Sequence, residues 1–233
     1  VPNNPYFDEL NIIYNWCPYP TTLSFPQNQS STNTLTPEFF WNSGTDPEED
    51  NFFTYRLQIS KTTDFVSPVI DQISIPETKY KLSTQLATGK YYWRVATKDF
   101  YDEGNFSSYY QIEIDTTTPN KPYGFNATTG NNNGEINFWC NISGDDEDKN
   151  LFNGSVLVAY STFNVIDTEE KFNSAEIKEF YVYNKNPGDI FADIISGLLN
   201  DTTYFINIKL KDDAGNLSPI STSTIYAITN FSP

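Results

Sequence analysis

Tyr91-Tyr92-Trp93-Arg94-Val95-Ala96-Thr97-Lys98 places Tyr91, Trp93 and Val95 on one parity and Arg94, Ala96 and Lys98 on the other. A period of two is that of a strand with one face in a core and one face in water. Leu86-Ala87-Thr88-Gly89-Lys90 supplies the turn into it. The same design returns 113 positions later, where Tyr204, Ile206, Ile208 and Leu210 stand for Tyr91, Trp93, Val95 and Thr97. The chain therefore reads as one pattern written twice.

Working outward from this run, Tyr55, Leu57 and Ile59 alternate with Arg56, Gln58 and Ser60, and Phe39 and Trp41 share a face just before the acidic turn Asp46-Pro47-Glu48-Glu49-Asp50. Short strands are expected at residues 69–75, 79–82 and 108–114, giving about seven in the first copy, the spacing of a β-sandwich. In the second copy Asp145 and Asn150 lie 99 positions after Asp46 and Asn51. Ile136, Phe138 and Cys140 precede that turn, with Cys140 in the place of Trp41 and Trp139 turned outward. Val156, Val158 and Tyr160 follow it in the roles of Tyr55, Leu57 and Ile59. The offset grows from 99 to 113 within the second copy, so an insertion is expected near residues 167–179, a charged stretch suited to a short helix or a long loop.

Between the copies runs Ile114-Asp115-Thr116-Thr117-Thr118-Pro119-Asn120-Lys121-Pro122, which is polar and bounded by proline. Proline fixes φ at two positions and biases the residues before them toward extended backbone, so a semi-rigid linker is expected. The division reads as residues 1–17 a tail or the remnant of a preceding domain, 18–115 the first domain, 116–122 the linker and 123–233 the second domain. Each piece of about 115 residues suffices for its own core.

Composition agrees with an all-β chain. Phe (18) and Tyr (16) are abundant, Met is absent, and aromatic and β-branched side chains suit pleated, half-buried surfaces. A net charge of −16 repels phosphate backbones and anionic lipid, which argues against nucleic-acid and membrane-surface partners. No apolar run is long enough for membrane insertion in this segment. With no histidine, imidazole ligation and the commonest general base are excluded, and no carboxylate pair sits in a recognisable motif, so the chain reads as non-catalytic. Cys17 and Cys140 have no metal-ligand spacing and are expected to be unpaired, Cys140 as a buried thiol. Asn-x-Ser/Thr sequons begin at Asn28, Asn105, Asn126, Asn141, Asn153, Asn200, Asn216 and Asn230, and suit a glycosylated extracellular chain.

Leu198-x5-Tyr204-x-Ile206-x-Ile208 followed by Lys211-Asp-Asp-Ala-Gly-Asn-Leu-Ser218 resembles the strand F and FG-loop signature of fibronectin type III domains. Leu86 to Ser107 is similar, one residue shorter between leucine and tyrosine. Pro37-x-Phe39-x-Trp41, the acidic turn and Asp115-Thr-Thr-Thr-Pro119 resemble tandem modules of prokaryotic surface and secreted proteins. The resemblance implies two immunoglobulin-like β-sandwiches in tandem, in an extracellular or cell-envelope protein. It also implies a structural or adhesion role as spacer or scaffold, with other domains of the same larger protein, surface proteins or glycans as partners. The alternative is a carbohydrate-binding or accessory module of a secreted hydrolase. The family's core tryptophan is replaced by Cys140, and there is no Arg-Gly-Asp.

In that topology the BC and FG loops of the second domain face the linker, which would bring Asp145, Asp146 and Asp148 toward Asp212, Asp213 and Asp115. Hard oxygen ligands from separate loops suit Ca²⁺, the one cofactor expected, at an interdomain site, whereas solvated turns of Asp, Asn and Gly explain the same residues without a metal. Asp46, Glu48, Glu49, Asp50, Asp99, Asp102 and Glu103 are the equivalent set in the first domain. Tyr92, Tyr110, Trp139 and Tyr183 are the aromatics expected to point outward as a sugar platform.

Overall fold

The computed structural model describes residues 15–47, 53–145, 151–222 and 224–230. Contacts divide these into two units: Ser31–Thr34 and the chain from Ile114 onward form one, and the remaining described residues form the other. The expected tail lies outside the described residues up to residue 14.

In chain order the first strands are β1 (Leu23–Phe25), β2 (Ser30–Thr32), β3 (Glu38–Trp41), β4 (Thr54–Ser60), β5 (Ile70–Ile75), β6 (Lys79–Lys81), β7 (Gly89–Lys98) and β8 (Tyr110–Ile114). They form two sheets, β1-β3-β6 and β2-β8-β7-β4-β5. Strand β7 pairs antiparallel with β4, with Trp93 opposite Ile59 and Val95 opposite Leu57. The alternation sets the core: Phe39, Trp41, Tyr55, Leu57, Ile59, Tyr91, Trp93 and Val95 are all buried. Phe39 meets Trp93 edge-on at 5.0 Å between ring centroids, and Trp41 meets Tyr55 at 5.5 Å, the geometry that ring quadrupoles favour. Strands β1 and β2 precede Phe39 and Trp41, in a stretch where no alternating run marks a strand.

The other unit contains β9 (Tyr123–Thr129), β10 (Ile136–Asn141), β11 (Phe152–Ser161), helix α1 (Glu169–Ser174), β12 (Glu176–Lys185), β13 (Ile190–Ile195), β14 (Thr203–Asp212) and β15 (Ile225–Ile228). Its sheets are β13-β10-β9 and β12-β11-β14-β15. Phe138, Cys140, Val156, Val158, Ile206, Ile208 and Leu210 fill the core between them. Cys140 is fully buried, and burial pushes its thiol up to about 12; Cys17 is exposed and neither thiol is in a disulfide. A bulge between Phe152 and Gly154 sets the register of β11. Gly154 has φ 150°, and a Cβ there would stand 2.0 Å from the Lys211 carbonyl oxygen, so only glycine fits.

Within residues 167–179 the chain forms the short helix α1. Thr168 caps α1 by accepting from the Lys171 N–H at 3.3 Å, and two glutamates occupy its first turn, where the helix dipole favours negative charge. Phe172 and Ile166 cover Ala159 on the outward parity of β11. That cover also buries Lys209, whose ammonium pairs with Glu169 and lies 4.9 Å from the centroid of the Phe172 ring. Thus α1 and the residues before it supply a second small core on a face that would otherwise be wet.

Candidate functional site

A tyrosine near the start of β7 and another near the start of β14 tie the chain back on itself. Tyr91 Oη donates to the Ala87 carbonyl at 3.0 Å, while Tyr204 Oη accepts from the Leu199 N–H at 3.0 Å. The extra residue between Leu198 and Tyr204 accompanies this change from donor to acceptor. A buried aspartate follows each tyrosine: Asp99 comes directly after β7 and Asp212 is the last residue of β14. Asp99 Oδ1 accepts from the backbone N–H of Tyr101 and of Asp102, and Asp212 Oδ1 from that of Asn216. Both aspartates thus build the loop that follows them.

In the second unit the loop does more. The carboxylates of Asp115, Asp145 and Asp212 have oxygens all within 4.8 Å of one another. Asp145 and Asp212 are buried and Asp115 is half-buried. Burial raises the Asp212 carboxyl above its ordinary range, the hydrogen bonds from Asn216 oppose this, and the charge of Asp115 adds to the rise. Asn216 Nδ2 donates to Asp212 Oδ2 at 2.9 Å and to the Asp115 carbonyl at 3.1 Å, so one amide links two members of the cluster. Chemically the set offers oxygen ligands only, as a hard divalent cation prefers.

Of the six aspartates expected in a calcium site, the structure brings together Asp115, Asp145 and Asp212. Asp213 is exposed and its Oδ2 accepts from Ser31 Oγ at 3.3 Å, away from the cluster. It leaves the set because successive residues at a strand end point to opposite sides. Asp146 and Asp148 lie outside the described residues, as do Glu48, Glu49 and Asp50 in the first unit. There Asp99 and Asp102 accept from Asn15 Nδ2 at 3.4 and 3.0 Å, Asp46 is half-buried, and Glu103 pairs with Arg56 at 3.0 Å, which commits it as a counter-charge.

Among the aromatics expected outward, Tyr183 is exposed. Tyr92, Tyr110 and Trp139 are half-buried: Tyr92 packs edge-on against Tyr109 and Tyr110 against Trp93. A sheet's outer face is itself covered where neighbouring side chains are long, which parity alone does not show. Tyr181, which sequence alone does not single out, is as exposed as Tyr183 at 68 %. The alternation of Ile177, Glu179, Tyr181 and Tyr183 against Phe180 and Val182 marks β12 and its wet face.

Seven of the eight sequon asparagines are exposed or half-buried, and Asn216 is the buried one. Asn141 and Asn153 are half-buried, with Asn141 Nδ2 donating to the Gly188 carbonyl and Asn153 Oδ1 accepting from the Asn184 N–H.

No protein-family model and no curated protein sequence matches the chain. Solved structures do match. The chicken CNTN1 FN1–FN3 domains superpose with a TM-score of 0.57 at 17 % identity, over 92 % of this chain and 66 % of theirs. The Clostridium thermocellum CbhA fibronectin(III)-like modules give 0.52 at 10 % identity, over 90 % of this chain and 94 % of theirs. The fold is that of tandem fibronectin type III domains. At these identities the likeness establishes the fibronectin type III architecture and leaves activity to be argued from the chain's own residues. The chain spans just under two thirds of the CNTN1 structure. Among the described residues no helix is long and apolar enough to cross a membrane.

Proposed function

We propose that the chain is a non-catalytic structural or adhesion module, acting as a spacer or scaffold within a larger cell-surface or secreted protein, in the extracellular space or cell envelope. One observation carries this reading: each copy spends its alternating apolar residues on a closed two-sheet core, Phe39 to Trp93 in one and Phe138 to Leu210 in the other. Folded modules in series are suited to holding partners at a distance, and the matching solved structures are themselves arrays of such domains. Single-molecule pulling of the chain between marker domains tests it, together with antibody labelling of intact source cells. Two separate unfolding events, each releasing about 3.6 Å of contour per residue, and labelling of unpermeabilised cells are expected. A single merged event, or labelling only after permeabilisation, would overturn it.

The loop carboxylates of the second unit would hold calcium. The three carboxylates of Asp115, Asp145 and Asp212 repel one another in a partly buried setting, and a bound Ca²⁺ would relieve that repulsion and stiffen the loops that carry them. Asp115, Asp145 and Asp212 would be the protein ligands, with Asn216 holding two of them in place.

A further inference from the structure

The outer face of the sheet β12-β11-β14-β15 is covered by α1 at one end and open at the other. At the open end lies a groove of about 290 Å³, near the lower bound of ligand clefts, about 300–1,000 Å³. Tyr181 and Tyr183 form one wall, each 68 % exposed, and the loop from Asp213 to Gly215 forms the other. Gly154 lies between them and places no side chain in the groove. Two residues along a strand span about 6.6 Å, so the two rings stand in series along one edge rather than stacked on each other.

The polar groups in the groove are of both kinds. Glu179 Oε1 accepts from Ser155 Oγ at 2.7 Å and from Lys211 Nζ at 3.0 Å. These bonds hold the carboxylate in position and, with the Ser155 bond the stronger cause, keep it below its usual titration range. A carboxylate has about four lone-pair sites, so two bonds leave it able to accept from a ligand hydroxyl, while Lys211 retains donors. Asp213 adds a further exposed acceptor. Acidic side chains outnumber the single lysine, which disfavours sulfated, sialylated or phosphorylated ligands. Flat apolar rings set beside fixed acceptors and a donor match a neutral polyol, whose ring has an apolar face and a hydroxylated edge.

We infer that this groove on the second unit is a binding site for a neutral oligosaccharide, with Tyr181 and Tyr183 each stacking on a sugar ring and Glu179 and Lys211 bonding to hydroxyls. The inference goes beyond the scaffold reading, which stands if the groove proves empty of function. It names the adhesion partner as glycan.

The test applies the full chain to an array of neutral and anionic glycans and follows the best ligand by amide NMR. Binding to one or more neutral glycans is expected, with shifts confined to residues around Ser155, Tyr181, Tyr183 and Lys211. Tyr181→Ala with Tyr183→Ala should weaken it about tenfold or more, as loss of an aromatic anchor does, and Tyr183→Phe should retain it. Both tyrosines are exposed, so the variants fold, and circular dichroism verifies this. Absence of array signal, a signal unchanged in the double variant, shifts elsewhere on the surface, or preference for a proline-rich decapeptide over every glycan would each overturn the inference.

Discussion

The guanidinium carbon of Arg94 lies 4.0 Å from the centroid of the Phe65 ring. A second ring, Phe106, is 4.1 Å away, and Nε and Nη2 of the same arginine donate to Gln58 Oε1 at 3.0 and 2.8 Å. Arg56 continues the array, bonded to Asp71 through two parallel contacts of 2.7 Å and to Glu103. The wet face of β4 and β7 is thus a ladder of cations and rings, in which long stems cover apolar surface while charge stays satisfied.

Arg94→Ala is expected to lower the stability of the first unit by about 1–2 kcal/mol, through loss of both ring contacts and of the Gln58 bonds. Arg94→Lys should recover only part, because an ammonium lacks the planar face that stacks on a ring. Urea denaturation measures both. Equal stability of the alanine variant and the wild type would show that the ladder contributes nothing.

Lys209 depends on Glu169. The lysine side chain is only 5 % exposed, and Glu169 also accepts from the Ile220 N–H at 3.1 Å. Burial alone would raise the Glu169 carboxyl, yet the hydrogen bond from Lys209 and then that from Ile220 hold it below its ordinary range. A depressed native carboxyl contributes stability above its unfolded value and loses it as pH falls through the native value. Glu169→Gln should therefore cost about 2 kcal/mol at neutral pH, discounted because the glutamate is half-exposed. Its deficit should shrink between about pH 5 and pH 3. Chemical denaturation across that range checks the convergence of the two curves.

If Asp115, Asp145 and Asp212 ligate calcium, about 10 mM Ca²⁺ acting at about ten times the Kd of a weak extracellular site adds about 1.4 kcal/mol. Scanning calorimetry should show the second unit melting several degrees higher than in chelator, and Asp212→Asn should abolish the response. In chelator the sign for Asp212 is opposite to that for Glu169. Its native carboxyl is raised, so its contribution is present below the unfolded value and lost as pH rises through the native one. Asp212→Asn removes that loss. A melting temperature unmoved by calcium would leave the loops as solvated turns.

Asn216 carries a sequon, but its amide is spent on Asp212 and on the Asp115 carbonyl. Glycopeptide mapping of protein from a glycosylating host should find this asparagine unoccupied, with glycan confined to exposed acceptors such as Asn28, Asn105, Asn126 and Asn200. Asn216→Ala should cost about 1–3 kcal/mol by leaving buried acceptors without a donor. Asn216→Asp should cost more at neutral pH, by placing a fourth carboxylate beside Asp212, and recover as pH falls. Occupancy at Asn216 in folded protein would refute the assignment.

By itself the sequence determined the strands that carry a clear alternation, β3, β4, β7, β10, β11 and β14, and their inward faces. Tyr91, Trp93 and Val95, and their counterparts Tyr204, Ile206 and Ile208, are buried as their parity requires, because side-chain direction in a strand is a local property with a period of two. It also marked the loops rich in aspartate. Only the tertiary structure decided which of those carboxylates meet. Asp115, Asp145 and Asp212 come from segments far apart in the chain and converge through sheet closure, while Asp213, the neighbour of Asp212, turns away. The same holds for the wet faces: whether Tyr92, Trp139 or Tyr181 stands in solvent depends on what lies across the sheet, and α1 covers Lys209 but stops short of Tyr181. Periodicity reports which side a residue is on, and non-local packing decides what it meets there.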